Sequence, residues 1–172
     1  SVTDVGLAIA AGSASLAESA ADDAAVMTAS ITEGSATTVS IISGNTDADS
    51  DGTAPFAITT GGAITVADAD DIDYETTTSY TLTVVAYTSS DTVSADMTIT
   101  ITDVNDQAPA WTTSATANVA EGATAVATMA ATDSDTADSG GLTYSITTND
   151  PSGTVFAVSG TALTMTAQNY ES

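Results

Sequence analysis

The groups in this chain with the spacing to do chemistry are carboxylates set one or two residues apart. Asp73-Tyr74-Glu75, Asp103-Val104-Asn105-Asp106 and Asp133-Ser134-Asp135 are the clearest sets, and Glu18 stands upstream of them. The 172 residues include 23 Asp and Glu but no Lys, Arg, His or Cys, for a formal charge of −23. The donor repertoire is therefore oxygen, from carboxylates, hydroxyls and backbone carbonyls. Such oxygens suit a hard cation such as calcium, which takes about six to eight of them in tolerant geometry. Without imidazole, thiolate or amine, Ser and Thr nucleophiles have nothing to activate them, and soft metal sites are excluded. Paired carboxylates can cleave glycosides, but the pairs here fall within the metal-type sets, so no enzyme is expected. With no cation to neutralise phosphate, nucleic-acid binding and docking on anionic membranes are excluded.

These acids must be positioned by a folded scaffold. Strong net charge favours disorder, but 42% of the residues are hydrophobic and they are patterned. Tyr80, Leu82, Val84 and Ala86 alternate with Thr81, Thr83 and Val85, and Met97, Ile99 and Ile101 alternate with threonines. Period two with threonine outside predicts half-buried strands. Shorter strands are predicted at Val39–Ile42, Phe56–Ile58, Ile64–Val66, Tyr144–Ile146, Phe156–Val158 and Leu163–Met165. Turn signals separate them, among them Ser43-Gly44-Asn45, Asp51-Gly52 and Gly61-Gly62. The alanine-rich stretch from Ala8 to Ala29 reads as strands and loops, because Gly12 and its Ser and Asp residues break any helical stripe. Many short strands so spaced predict an all-β antiparallel sandwich. No run approaches the roughly 18 apolar residues of a membrane span, and no basic region marks a signal peptide at the start.

The chain repeats itself. Thr3-Asp4-Val5 recurs as Thr102-Asp103-Val104, Leu16-Ala17-Glu18 as Val119-Ala120-Glu121, and Phe56-Ala57-Ile58 as Phe156-Ala157-Val158. Asp73-Tyr74-Glu75 recurs as Asn169-Tyr170-Glu171. One sandwich per copy predicts a first domain over 1–106 with an N-terminal extension. A second follows over 107–172 without counterparts of Ser79–Ala86 and Met97–Asp103.

The ordered set Asp73-Tyr74-Glu75, then Tyr80-Thr81-Leu82-Thr83-Val84-Val85-Ala86, then Asp103-Val104-Asn105-Asp106-Gln107-Ala108-Pro109 resembles a cadherin repeat. Glu18 resembles the early glutamate of that family, and Asp133-Ser134-Asp135 the D-x-D of a following repeat. The match covers essentially the whole chain. It implies tandem Greek-key, seven-stranded β-sandwiches of cadherin or immunoglobulin type and about three calcium ions at the junction between repeats. By this resemblance one ion takes Glu18, Asp73, Glu75 and Asp106. A second takes Glu18, Glu75, Asp103, the Val104 carbonyl and Asp135. A third takes Asn105, the Gln107 carbonyl, Asp133, Asp135 and a carbonyl near Gly140. Gln107 stands where the family has asparagine, and the family's last ligand aspartate has no counterpart here, which leaves the third ion short of ligands. Seven carboxylates carrying −7 against three ions carrying +6 would come close to neutral.

Elsewhere the motifs thin out. At the first copy's outer end, Asp4-Val5-Gly6-Leu7 lacks the Asn-Asp of the linker, Ile31-Thr32-Glu33 replaces D-x-D, and Tyr87 occupies a ligand position. Glu121, Asn169 and Glu171 form an incomplete set at the far end. Asp47-Ala48-Asp49-Ser50-Asp51-Gly52 resembles the start of a calcium loop, but Ile58 stands where an EF-hand needs Glu, and the segment reads as an acidic turn before Phe56. Asp68, Asp70 and Asp71 read as a solvated loop, and Trp111, Tyr80 and Tyr144 as core.

The resulting expectation is an extracellular or cell-surface calcium-binding adhesion or filament segment of prokaryotic type. It would associate with itself head to tail or with neighbouring repeats, with strand donation from Val2–Ala14 as one route. The adhesion ligand is not legible. The alternative is a carbohydrate-binding sandwich of a secreted multidomain protein, which would show exposed aromatics on one strand face.

Overall fold

The computed structural model describes residues 6–136, 141–150 and 155–169. These contain strands, turns and loops and no helix, so no helix among them is long and apolar enough to cross a membrane. The chain divides into two compact units, the first ending at Val104 and the second beginning at Asn105. Gly140, Tyr170 and Glu171 lie outside the described residues.

The first unit holds β1 (Ala8–Ile9), β2 (Gly12–Ala17), β3 (Ala25–Thr28), β4 (Ile31–Glu33), β5 (Thr38–Ser43), β6 (Phe56–Ile58), β7 (Ala63–Val66), β8 (Ser79–Tyr87) and β9 (Thr92–Thr102). A four-stranded sheet runs β2-β9-β8-β5 and a three-stranded sheet β3-β7-β6, with β1 paired to β4. The two larger sheets give the seven strands of a sandwich. The period-two pattern of β8 and β9 does what it predicts except at Val85, which is buried although it falls on the face with Thr81 and Thr83. Leu82, Val84, Ala86, Met97 and Ile99 are wholly buried, while Thr81, Thr100 and Thr102 face solvent. Opposite them, Phe56, Ile64 and Val66 bring the three-stranded sheet into the same apolar cluster, and the Phe56 and Tyr80 rings meet edge to face at 5.1 Å. Burying each such aliphatic side chain is worth about 1.5–3 kcal/mol. The turn signals have steric causes. Gly44 sits at φ +81°, where a Cβ would run into the Thr81 carbonyl, and Gly62 at φ +85° does the same against Ala29.

The segment expected as a strand donor is built into its own unit. Ala8 and Ile9 pair with β4, β2 pairs with β9, and Leu7 is buried. Within one chain Leu7 and Ile9 thus pack in the unit they belong to, while residues 2–5 of the expected donor lie outside the described residues.

The second unit holds β10 (Ala110–Trp111), β11 (Ala125–Thr128), β12 (Ala131–Thr132), β13 (Phe156–Ser159) and β14 (Ala162–Met165). It reproduces two of the first unit's three sheets: β10 with β12, and β11-β14-β13. The repeat extends to a shared irregularity. Register slips between Ala25 and Met27 where β3 meets β7, and between Ala125 and Ala127 where β11 meets β14. Among the described residues the second unit has no counterpart of the four-stranded sheet. Two sequence expectations fail for that reason. Tyr144–Ile146, the counterpart of β5, has no neighbouring strand among the described residues and is not a strand. Trp111 is 63% exposed rather than core, its ring 5.5 Å from that of Tyr144.

Candidate metal centre

The parallel pairing of β2 with β9 builds the first unit's acidic end. The register runs from Gly12↔Met97 to Ala17↔Thr102, so the next residues out, Glu18 and Asp103, leave the sheet side by side. The Asp73-Tyr74-Glu75 turn reaches the same end. Glu18, buried at 6% exposure, holds the three segments together. Its Oε2 accepts the Tyr74 N–H and its Oε1 the Val104 N–H, both at 2.6 Å. One carboxylate oxygen of Glu75 lies within 4.8 Å of one of Glu18, and likewise of Asp103. At that separation each pair of charges repels by about 1–3.5 kcal/mol, between the dielectric of water and that of a protein surface. Each carboxylate oxygen has a second lone pair, so the bonds Glu18 accepts leave it able to ligate.

Asp73 is directed into its own turn. Its Oδ2 accepts the Thr76 hydroxyl at 2.7 Å, and its Oδ1 accepts the Glu75 and Thr76 N–H groups at 2.9 and 3.3 Å. The Thr76 hydroxyl, opposed by desolvation and reinforced by the Glu75 and Thr76 N–H groups, holds the Asp73 carboxyl below the usual range.

In the second unit, Asp135 is fully buried and its Oδ2 accepts the Gln107 N–H at 3.0 Å. Asp133 Oδ1 accepts the Asp135 N–H at 3.1 Å. The Gln107 side chain donates to Asp106 Oδ1 at 2.8 Å. Asn105 opens this unit. Glu121 and Asn169, counterparts of Glu18 and Asp73, line one cleft there. The donors in both units are oxygens throughout, which fits a hard divalent cation and no softer one.

One acid was misread from sequence. Asp71, expected in a solvated loop, is 4% exposed. The apolar Ile72 beside it is buried and draws the segment inward. Its Oδ1 accepts the Ala48 and Asp49 N–H groups at 2.8 and 3.1 Å. Carboxylate oxygens of Asp47, Asp49 and Asp71 lie within 4.8 Å of one another, as do those of Asp49, Asp51 and Asp68. An N–H bond from Asp51 pulls the Asp49 carboxyl down, but desolvation and the negative charges of Asp51 and Asp71 outweigh it and leave it raised.

No protein-family model matches the sequence, and no curated protein is similar to it. Solved structures are. The human protocadherin-24 EC1-2 structure superposes with a TM-score of 0.72 at 22% identity, over 92% of this chain and 76% of its own. The fold is that of cadherin repeats. The protocadherin gammaB4 extracellular domain is similar at TM-score 0.68 and 18% identity, over 95% of this chain. The chain spans only 29% of that ectodomain. The protocadherin gammaB7 EC3-6 cis-dimer structure is similar at TM-score 0.67 and 17% identity, over 95% of this chain and 40% of its own. In this cadherin-like frame, the first repeat gathers Glu18, Glu75 and Asp103, and the second gathers Asp133 and Asp135 beside Gln107.

Proposed function

We propose that the chain is a calcium-binding structural segment of an extracellular adhesive or filamentous assembly, without enzymatic activity. The observation that carries this reading is the gathering of Glu18, Glu75 and Asp103 where β2 and β9 both finish. Folding collects like charges there in a chain with no basic side chain to offset them, and a divalent cation turns that repulsion into attraction. About three ions are proposed, held by Glu18, Asp73, Glu75, Asp103, the Val104 carbonyl, Asn105, Asp106, the Gln107 carbonyl, Asp133, Asp135 and a carbonyl near Gly140. Their number and sharing rest on the motif order. The ions would stiffen the linker ahead of Pro109, whose ring already fixes φ. Self-association, head to tail, is the proposed mode of assembly, with calcium screening the −23 charge. The likeness to a protocadherin solved as a cis-dimer supports association in kind. Small-angle scattering of the chain with calcium and with a chelator tests the reading. A longer, better-defined maximum dimension with calcium is expected, and identical profiles would overturn it.

A second reading, a carbohydrate-binding module, draws on one observation. Trp111, the sole tryptophan, is exposed and stands against Tyr144. Quenching of its fluorescence by oligosaccharides would favour that reading.

A further inference from the structure

The first unit carries a loop longer than its own repeat requires. Asn45 Nδ2 donates to the Phe56 carbonyl at 2.7 Å, and the Phe56 N–H donates back to Asn45 Oδ1 at 3.0 Å. Asn149 and Phe156 make the same two-way bridge at 3.2 and 3.3 Å. The partners are 11 residues apart in the first unit against 7 in the second, so the first loop is longer by four. The longer loop contains Asp47-Ala48-Asp49-Ser50-Asp51-Gly52, whereas its shorter counterpart has a single acid, Asp150. Closing the bridge therefore calls for none of the three aspartates.

Clustered surface aspartates are commonplace, and these would carry no weight without what lies beneath them. The Asp71 carboxylate is pinned under the loop by the two N–H groups on its Oδ1. Its Oδ2 is wholly buried and has no hydrogen-bond partner among the described residues. A buried carboxylate oxygen left without a donor is strongly unfavourable, and this sequence has no Lys, Arg or His to meet it. With no basic side chain available, a cation from solution is a group that would offset its charge as well as fill its lone pair.

We propose that Asp47, Asp49 and Asp71 hold a calcium ion within the first unit, at a site that shares no ligand with the Glu18, Glu75 and Asp103 cluster. Three carboxylates of one hard donor type, two of them on a loop outside the regular strands, suit calcium better than magnesium, which demands near-ideal octahedral geometry. Asp51 and Asp68, grouped with Asp49, are placed to add charge or accept ligand waters. The site has a structural use. Asp71 is tied to the core through its backbone carbonyl, which accepts the Tyr80 hydroxyl at 2.7 Å. An ion there fastens the loop between β5 and β6 to the segment leading into β8.

Calorimetric calcium titration of the full chain in high sodium chloride tests this, with Asp49→Asn, Asp71→Asn and Glu75→Gln singly and combined. Asp49→Asn and Asp71→Asn are each expected to abolish one equivalent of bound calcium, in the parent and in the Glu75→Gln background alike. Glu75→Gln alone should leave that equivalent intact, so loss of the linker ions and loss of the loop ion are told apart. Asp49 is exposed, and the asparagine oxygen still accepts the Asp51 N–H. That variant decides the matter if circular dichroism shows Asp71→Asn unfolded. Unchanged stoichiometry and affinity in Asp49→Asn would overturn the proposal, as would an equivalent that high salt alone removes.

Discussion

The Val104 N–H donates to Glu18 Oε1 at 2.6 Å, a bond between residues 86 positions apart that closes the first unit on itself. With the Tyr74 N–H on its other oxygen, Glu18 has a structural task before any ion arrives. Glu18→Ala strands two donors and is expected to cost about 1–3 kcal/mol for each one left buried. Urea unfolding in a chelator measures this. Glu75→Ala should lose less than Glu18→Ala under the same conditions.

Calcium should stabilise what it binds. At a concentration a hundredfold above Kd, one site adds about 2.7 kcal/mol, read as a raised melting midpoint relative to chelator. Glu75→Gln is expected to shrink that increment without lowering the midpoint in chelator to the same degree. Equal midpoints with calcium and chelator would count against every ion assigned above.

Core and surface should separate sharply. Leu82 and Met97 are wholly buried, and truncating either to alanine is expected to cost about 2–5 kcal/mol. Trp111→Ala removes an exposed ring in contact with Tyr144 and should cost no more than about 1.5 kcal/mol. Denaturant midpoints of the three variants provide the check.

Tyr80 sets an alkaline limit. Desolvation by burial, countered by the Thr77 side chain and reinforced by the charges of Asp71 and Asp73, raises its hydroxyl above the usual value. A raised folded pKa means the unfolded chain releases this proton first. The stabilisation is full below about pH 10 and is lost as pH climbs through the folded value. Ultraviolet titration of the five tyrosines should find one that ionises late and together with unfolding. Tyr80→Phe should remove that coupling.

What could be read from the chain followed from how local each feature is. β8 and β9 announce themselves because alternation over nine and eleven residues is a one-dimensional signal. The Asp73-Tyr74-Glu75 turn is legible because an acid two residues ahead of another can fold back on the intervening backbone, as Asp73 does on the Glu75 N–H. Tyr144–Ile146 failed because a strand exists only beside a partner, and alternation alone does not supply one. Trp111 was misplaced for the same reason, since burial depends on what lies opposite. Asp71 was missed because nothing in Asp70-Asp71-Ile72 says which of two neighbouring aspartates is carried inward.

The parallel register of β2 on β9 also fixes how the first unit would meet a stretching force. The two strands bracket the unit in sequence and run the same way, from Gly12 beside Met97 to Ala17 beside Thr102. Tension entering through the residues ahead of β2 and leaving through Val104 slides one strand lengthwise along the other. The six paired positions then bear load together, because the bonds of a parallel ladder run between the strands and not along the pull. Strands that unzip bond by bond give way easily, whereas this pair must fail as a block. An element that looks like an ordinary sheet edge is thus the region of the unit that would decide how much tension it withstands.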